Sequence, residues 1–579
     1  MLLMRLFLQT HKWGVSCAFL SGIIMVLPQL MLPLSLGSQY QGVQPLMLDD
    51  EDIYRARIHE ILEGNTRVAS PYLHEYKNIP VIVPPINEWF YALPAFIIGL
   101  SATIIFAKFF FPAALFFFAY LLLWKLIGVN KKEPEITVIA GAFLVVLGTD
   151  LIDYGHLLEI MRGISGFKAM VWERIVNPIT GGVELLAFLF FMHKALHGSR
   201  WSAVFAGVIL ATTVGYFFTF ALSMSITGVL AFIYIVTREY VQVKQLLIIF
   251  TVSILLDIPY VHSMLSSIGG VDGRIIAGRS GMEFTHEFII NKMLLASTIL
   301  FLFALLYVFK KKILESHRDS WIFTSALITG SWVAFNHQVL TGREIWYHHF
   351  VQYVIPLSFI ALIFAGYNSV RVYIPRVWNV AMHGLIIICV AYGLFTSWIG
   401  ALPYKGELLK QQSFSEVFNI INNNTDACVA LVLSDSESLE KAIPAYTNCD
   451  VYSTSYVFIG VPHERVLHNL FIKMRLEGIV VQDAESYLLA HEEEVRQTSF
   501  ENWRQLSSKE RDEWFFTAVE REKKGYADFS LSNLKESLLL YRMDYLVSDA
   551  PLHQAVIEQL PGLQLIAITN GNFYIYTFK

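Results

Sequence analysis

Apolar runs long enough to cross the hydrocarbon core of a bilayer, roughly 17–25 residues, recur along this chain from its start to about residue 400, with more polar segments between them. They fall at about 13–35, 103–127, 135–150, 179–196, 201–220, 222–237, 244–261, 287–309, 321–337, 350–368 and 377–400. The pattern predicts a polytopic α-helical membrane protein of about 11 transmembrane helices. The stretch EWFYALPAFIIG at 88–99 is apolar but short and contains Pro94, so it reads as an interfacial or re-entrant helix. Beyond residue 400 the period changes. Strand-like runs at Cys428–Leu433, Val451–Ser455, Tyr545–Val547, Leu563–Thr569 and Phe573–Phe578 alternate with charge-rich helical stretches, notably 483–540, and predict an α/β domain. The expected organisation is a membrane domain over 1–400, with a first outer loop at about 36–102, and a soluble domain over 401–579.

Composition agrees with the bilayer. Hydrophobic residues make up 55% of the 579 and charged ones 16%, and mean hydropathy is +0.50, whereas charged residues alone are about a quarter of a soluble protein. The net charge of −5 excludes a nucleic-acid partner, which needs a basic surface. Lys and Arg concentrate in alternate loops, at Lys125, Lys131, Lys132, Lys194, Arg200, Arg238 and Lys310 to Lys312 among others. By the positive-inside rule these loops and the N-terminus face the cytoplasm, and an odd number of crossings places 401–579 outside the inner (plasma) membrane. Of four cysteines, Cys428 and Cys449 lie in that outer part. Their pairing would require an oxidising compartment, and the spacing leaves it open.

The loops expected on the outer side are unusually rich in ionisable groups. The first opens with Asp49, Asp50, Glu51 and Asp52, at the head of the helix-like run DDEDIYRARIHEILEGN. Acids in a first turn also complement a helix's positive end. Crowded carboxylates at a membrane surface, however, raise one another's pKa into the range of a general base. On helical spacing Asp50, Tyr54 and Arg57 share one face, and Glu51 and Arg55 another. Residues 151–178 hold Asp153, His156, Arg162, Glu173 and Arg174, residues 262–286 hold Arg274, Arg279 and His286, and NHQVLTGREIWYHHF at 336–350 holds Arg343, Glu344, His348 and His349. Basic groups on this side suit a phosphate or pyrophosphate, whose geometry matches a guanidinium fork. Asp50, Asp150 and Asp153 are candidate oxygen ligands for a divalent cation, Mg or Mn. Asp257, inside a span, either faces a cavity or satisfies backbone freed near Pro259.

The run at 49–65, the following PYLHEYKNIPVIVPPINEWFYALP at 71–94 and the late loop at 336–350 together resemble the GT-C superfamily of membrane glycosyltransferases. Within it they resemble bacterial members of the protein mannosyltransferase and aminoarabinose transferase type. Four adjacent acids depart from that family's one- or two-acid pattern. The resemblance implies a GT-C-like fold and transfer of a sugar from a polyprenyl-phosphate donor to a lipid, glycan or protein acceptor on the outer face, with inversion. It also implies that an acid ahead of Tyr54 is the base: Asp50 first, then Asp49, Glu51 and Asp52. The phosphate ligands would be Arg57, Arg343 and His348, with Lys77 and Arg279 in reserve. A secondary transporter, or a polysaccharide or lipid export component with a periplasmic domain, is the alternative. Transporters place their polar residues near the midplane in broken helices, whereas this chain gathers them toward one face.

Overall fold

The computed structural model describes residues 7, 9–48, 50–79, 83–128, 135–152, 169–268, 282–311, 317–422, 427–434, 437–454, 461–499 and 508–578. The chain forms two compact units: Met1–Ser35, Ile86–Tyr260 and Thr285–Lys405 in the first, and Leu36–Pro85, Val261–Phe284 and Gly406–Lys579 in the second.

Eight helices among the described residues are long and apolar enough to cross a membrane, beginning at Lys12, Leu100, Ile179, Phe217, Tyr240, Lys292, His348 and Pro375. The other three runs in the sequence form Glu135–Leu147, Arg200–Thr212 and Arg318–Phe335, of 13, 13 and 18 residues. At about 1.5 Å per residue the two shorter ones span about 20 Å, less than a hydrocarbon core of about 30 Å. The stretch around Pro94 is likewise a 13-residue helix, Ile86–Ile98. It buries Asn87, Glu88 and Tyr91 and exposes Leu93, Phe96 and Ile97 on the other side, the division expected of a helix lying at an interface. Helices of this unit approach closely at small residues. A Cβ on Gly330 would stand 2.8 Å from the Ile226 Cα, and one on Gly207 2.7 Å from the Ile249 carbonyl oxygen, so larger side chains at either position would part the helices.

The second unit is built on a five-stranded mixed sheet. Its strands are β1 (Cys428–Leu433), β2 (Cys449–Val451), β3 (Tyr545–Ser548), β4 (Leu563–Ile568) and β5 (Tyr574–Phe578). Their order is β2-β1-β3-β5-β4, parallel among the first three and antiparallel from β3 to β5 to β4. The unbroken apolar run CVALVL of β1 follows from burial on both faces. Cys428, Ala430 and Val432 enter one core and Val429, Leu431 and Leu433 the other. Into the first core pack Val43, Ile53, Tyr72 and Leu73 from the segment that follows the first span. That segment is also stitched by hydrogen bonds: Val451 N to Tyr72 O at 2.9 Å, Gln41 N to Gln412 Oε1 at 2.8 Å, and Gln44 N to the Tyr446 hydroxyl at 3.0 Å. Cys428 and Cys449, opposite each other on β1 and β2, form a disulfide.

Candidate functional site

The acidic run begins the helix Glu51–Leu62 of the second unit. Ile53, Ala56, Ile58 and Ile61 are its buried apolar positions, so a half-exposed stripe remains on the other side and carries Asp50, Tyr54 and Arg57, the three residues that helical spacing places together. Asp50 is the N-cap and adopts φ 72°, a left-handed conformation that a short polar residue tolerates better than most. Glu51 is fully buried, and its carboxylate accepts hydrogen bonds from the Met47 amide at 2.9 Å and the Leu48 amide at 3.4 Å. It closes the turn that leads into its own helix. Asp52 is half-buried, and loss of hydration reinforced by the Glu51 carboxylate pushes its pKa up to about 7 against the opposing charges of Lys441 and Arg55. Asp49 lies outside the described residues.

Arg55, one turn along, is buried. Its Nε donates to the Ala445 carbonyl at 2.9 Å, one terminal nitrogen donates to Gln44 Oε1 at 2.6 Å, and the guanidinium lies 3.9 Å from the Tyr446 ring centre. At the far end of the helix, Lys77 Nζ sits 2.8 Å from Glu60 Oε1 and 2.8 Å from Asp450 Oδ1. His74 Nδ1 is 2.9 Å from the other Asp450 oxygen, and Asn65 donates to Glu60 Oε2 at 2.8 Å. Burial works against the Lys77 charge, but Asp450 and Glu60 outweigh it and hold the pKa above the ordinary lysine value. Beside this network, burial and the Glu60 carboxylate raise Glu63 to about 7, and burial with the nearby Arg55 and Lys77 charges lowers His59 to about 4.

In the first unit, Arg343 is exposed on the late loop and His348 is exposed at the start of the helix His348–Ser369. The next residue, His349, is half-buried. Its Nδ1 is 2.8 Å from the Tyr216 hydroxyl, and its ring stacks on Phe218 with centroids 4.8 Å apart. A buried polar cluster lies within the same unit: Asn87 Nδ2 donates to Asn177 Oδ1 at 2.7 Å, the Val176 amide to the Tyr91 hydroxyl at 2.9 Å, and Ser397 Oγ to Glu173 Oε1 at 3.1 Å. The sequence reading did not single out Asn87, Asn177 or Tyr216, since lone amides and a tyrosine among apolar spans carry no distinguishing period. Arg279 and Asp153 lie outside the described residues. Asp150 falls in the turn Thr149–Ile152, but its side chain is outside them too. Among the described residues no group of three His, Cys, Asp or Glu side chains is arranged to hold a metal ion. Of the three proposed ligands only the Asp50 side chain is described.

No protein-family model and no curated protein matches the chain. Among solved structures it is similar to the archaeal oligosaccharyltransferase AglB from Archaeoglobus fulgidus in complex with an inhibitory peptide and a dolichol-phosphate, at 11% identity over 93% of this chain and 69% of that one, with a TM-score of 0.44. The A. fulgidus oligosaccharyltransferase tethered through a disulfide to an acceptor peptide containing the NVT sequon gives 12% identity, the same coverages and a TM-score of 0.46. Its complex with Zn and sulfate gives 12% identity over 92% and 68%, with a TM-score of 0.44.

Proposed function

We propose that the protein is a membrane glycosyltransferase that moves a sugar from a polyprenyl-phosphate donor to a lipid, glycan or protein acceptor on the outer face of the membrane. The observation that carries this reading is the half-exposed Asp50 at the head of the helix Glu51–Leu62, on one stripe with Tyr54 and Arg57. Its neighbour Glu51 is committed to backbone amides. Asp50 takes the proton of the acceptor hydroxyl or amine as that atom attacks the anomeric carbon. The bond from that carbon to the donor phosphate oxygen breaks, the configuration inverts, and polyprenyl phosphate leaves with the bonding electrons. Stabilising the departing phosphate is assigned to Arg57, Arg343 and His348, with Arg279 behind them; Lys77, held between Glu60 and Asp450, is withdrawn from that role. Asp52, with a pKa near neutrality, is the next choice of base. The remaining elements of the proposal are about eleven crossings, a cytoplasmic N-terminus, the domain division at residue 400 and a divalent cation. The Cys428–Cys449 disulfide supports an oxidising compartment for the C-terminal part.

The test is release of polyprenyl phosphate by the purified, reconstituted protein from a panel of polyprenyl-phosphate sugars. Turnover with one donor identifies the sugar; no turnover with any donor or acceptor sinks the reading. Buried acids within spans favour a transporter as the second reading. Glu184 is 5% exposed in the helix Ile179–Leu196, and Asp257 is 9% exposed in the span from Tyr240, bonded to Ser253 Oγ at 3.0 Å. That reading predicts solute flux in proteoliposomes lacking any lipid-linked sugar.

A further inference from the structure

Within the first unit a cavity of about 410 Å³ lies among the helices Lys12–Leu36, Glu135–Leu147 and Pro375–Phe395. The volume is in the range of about 300–1,000 Å³ typical of ligand sites. Leu20, Ile139, Phe143 and Val390 are among the apolar residues lining it, and among the described residues Glu135 is the one charged side chain in the lining. From Glu135 to Phe143 the helix advances about 12 Å at about 1.5 Å per residue, close to the depth of one leaflet of a hydrocarbon core of about 30 Å. The polar end is organised. Glu135 Oε1 lies 3.5 Å from the Tyr120 hydroxyl, which is 3.2 Å from His11 Nδ1. Lys12 is near enough for its charge to act on Glu135. Beside them Trp13 is 55% exposed, as aromatic residues at a membrane interface are.

We propose that this groove holds one acyl chain of a phospholipid whose headgroup carries an amine, of the phosphatidylethanolamine class. The apolar wall takes the chain, the Glu135 carboxylate takes the ammonium, and Lys12 takes the phosphate. An ammonium headgroup brings a charge opposite to that of Glu135, whereas a purely anionic headgroup sets a negative charge against it. The site is independent of the proposed transfer reaction.

Native mass spectrometry of the full chain, reconstituted in an equimolar mixture of phosphatidylethanolamine and phosphatidylglycerol, reads occupancy and preference together. Wild type retains one phospholipid, enriched for phosphatidylethanolamine by roughly two- to fivefold, the range that an exposed ion pair supplies. Glu135→Gln keeps the occupancy and brings the enrichment to about one. Leu20→Trp, at a position already 38% exposed and so tolerant of size, narrows the groove and lowers the occupancy. The free thiol of Cys17, which also lines the groove, gives an independent readout in a Cys389→Ala background: maleimide labelling is slower in phosphatidylethanolamine vesicles than in phosphatidylglycerol vesicles. Equal retention of the two lipids by wild type, unchanged occupancy in Leu20→Trp, or displacement of the phospholipid by added polyprenyl phosphate would each overturn the assignment.

Discussion

At the C-terminal end of the helix Glu51–Leu62, Glu60, Lys77, Asp450 and His74 are joined by contacts of 2.8 to 2.9 Å, while at its N-terminal end Asp50 and Asp52 remain half-exposed. The same residue types serve different ends because their surroundings differ. Lys77, a reserve phosphate ligand from sequence, sits between two carboxylates and ties the first-loop segment to β2. Glu51 belongs with this structural set although it lies among the acids of the other end, because its carboxylate satisfies two amides. Position in a run of acids is therefore a weaker guide to chemistry than what each carboxylate accepts.

Among effects on folding, the largest is expected at the tied end. Lys77→Met leaves Glu60 and Asp450, each 5% exposed, without their shared cation and costs about 3 kcal/mol in chemical denaturation of the second unit. Adding Glu60→Gln recovers part of that loss, which separates charge imbalance from lost packing. A smaller effect is expected at Glu51→Gln, about 1–2 kcal/mol, because the amide oxygen still reaches one of the two amides but without a charge.

A third effect, at Asp52, depends on pH. Its folded pKa, about 7, lies above the ordinary 3.8, so the folded state binds this proton more tightly than the unfolded chain. The contribution to stability is fully present below about pH 4 and is lost as pH rises through 7. Asp52→Asn should therefore raise the melting temperature at pH 8 and leave it nearly unchanged at pH 4. A shift of equal size at both values would assign the effect to packing rather than ionisation. His59, lowered to about 4, acts in the opposite direction: its contribution is lost as pH falls from 6.5 toward 4.

Much of this was legible in the residues. Long apolar runs marked the spans, CVALVL marked a strand buried on both faces, and helical spacing placed Asp50, Tyr54 and Arg57 on one stripe. The sequence could not show that Lys77 meets Asp450, that Gln41 meets Gln412, or that Asn87 meets Asn177, since periodicity reports local faces and these pairs are distant in the chain. Nor could it show that residues 36–85 fold into one unit with 406–579. The helices Glu135–Leu147 and Arg200–Thr212 are shorter than their apolar runs, because those runs continue into turns, as at Thr149 and Thr213, where the α-helix has already ended.

The central claim is that the open end of this helix carries the chemistry and the tied end holds the fold. Its most direct test is the rate of polyprenyl phosphate release by Asp50→Asn, normalised to folded protein. Loss of about 10²–10⁴-fold, the usual contribution of a general base, with an unfolding transition matching wild type, is the predicted result. Wild-type turnover by folded Asp50→Asn would contradict it, and loss of turnover in Asp52→Asn alone would move the base two residues along the same helix.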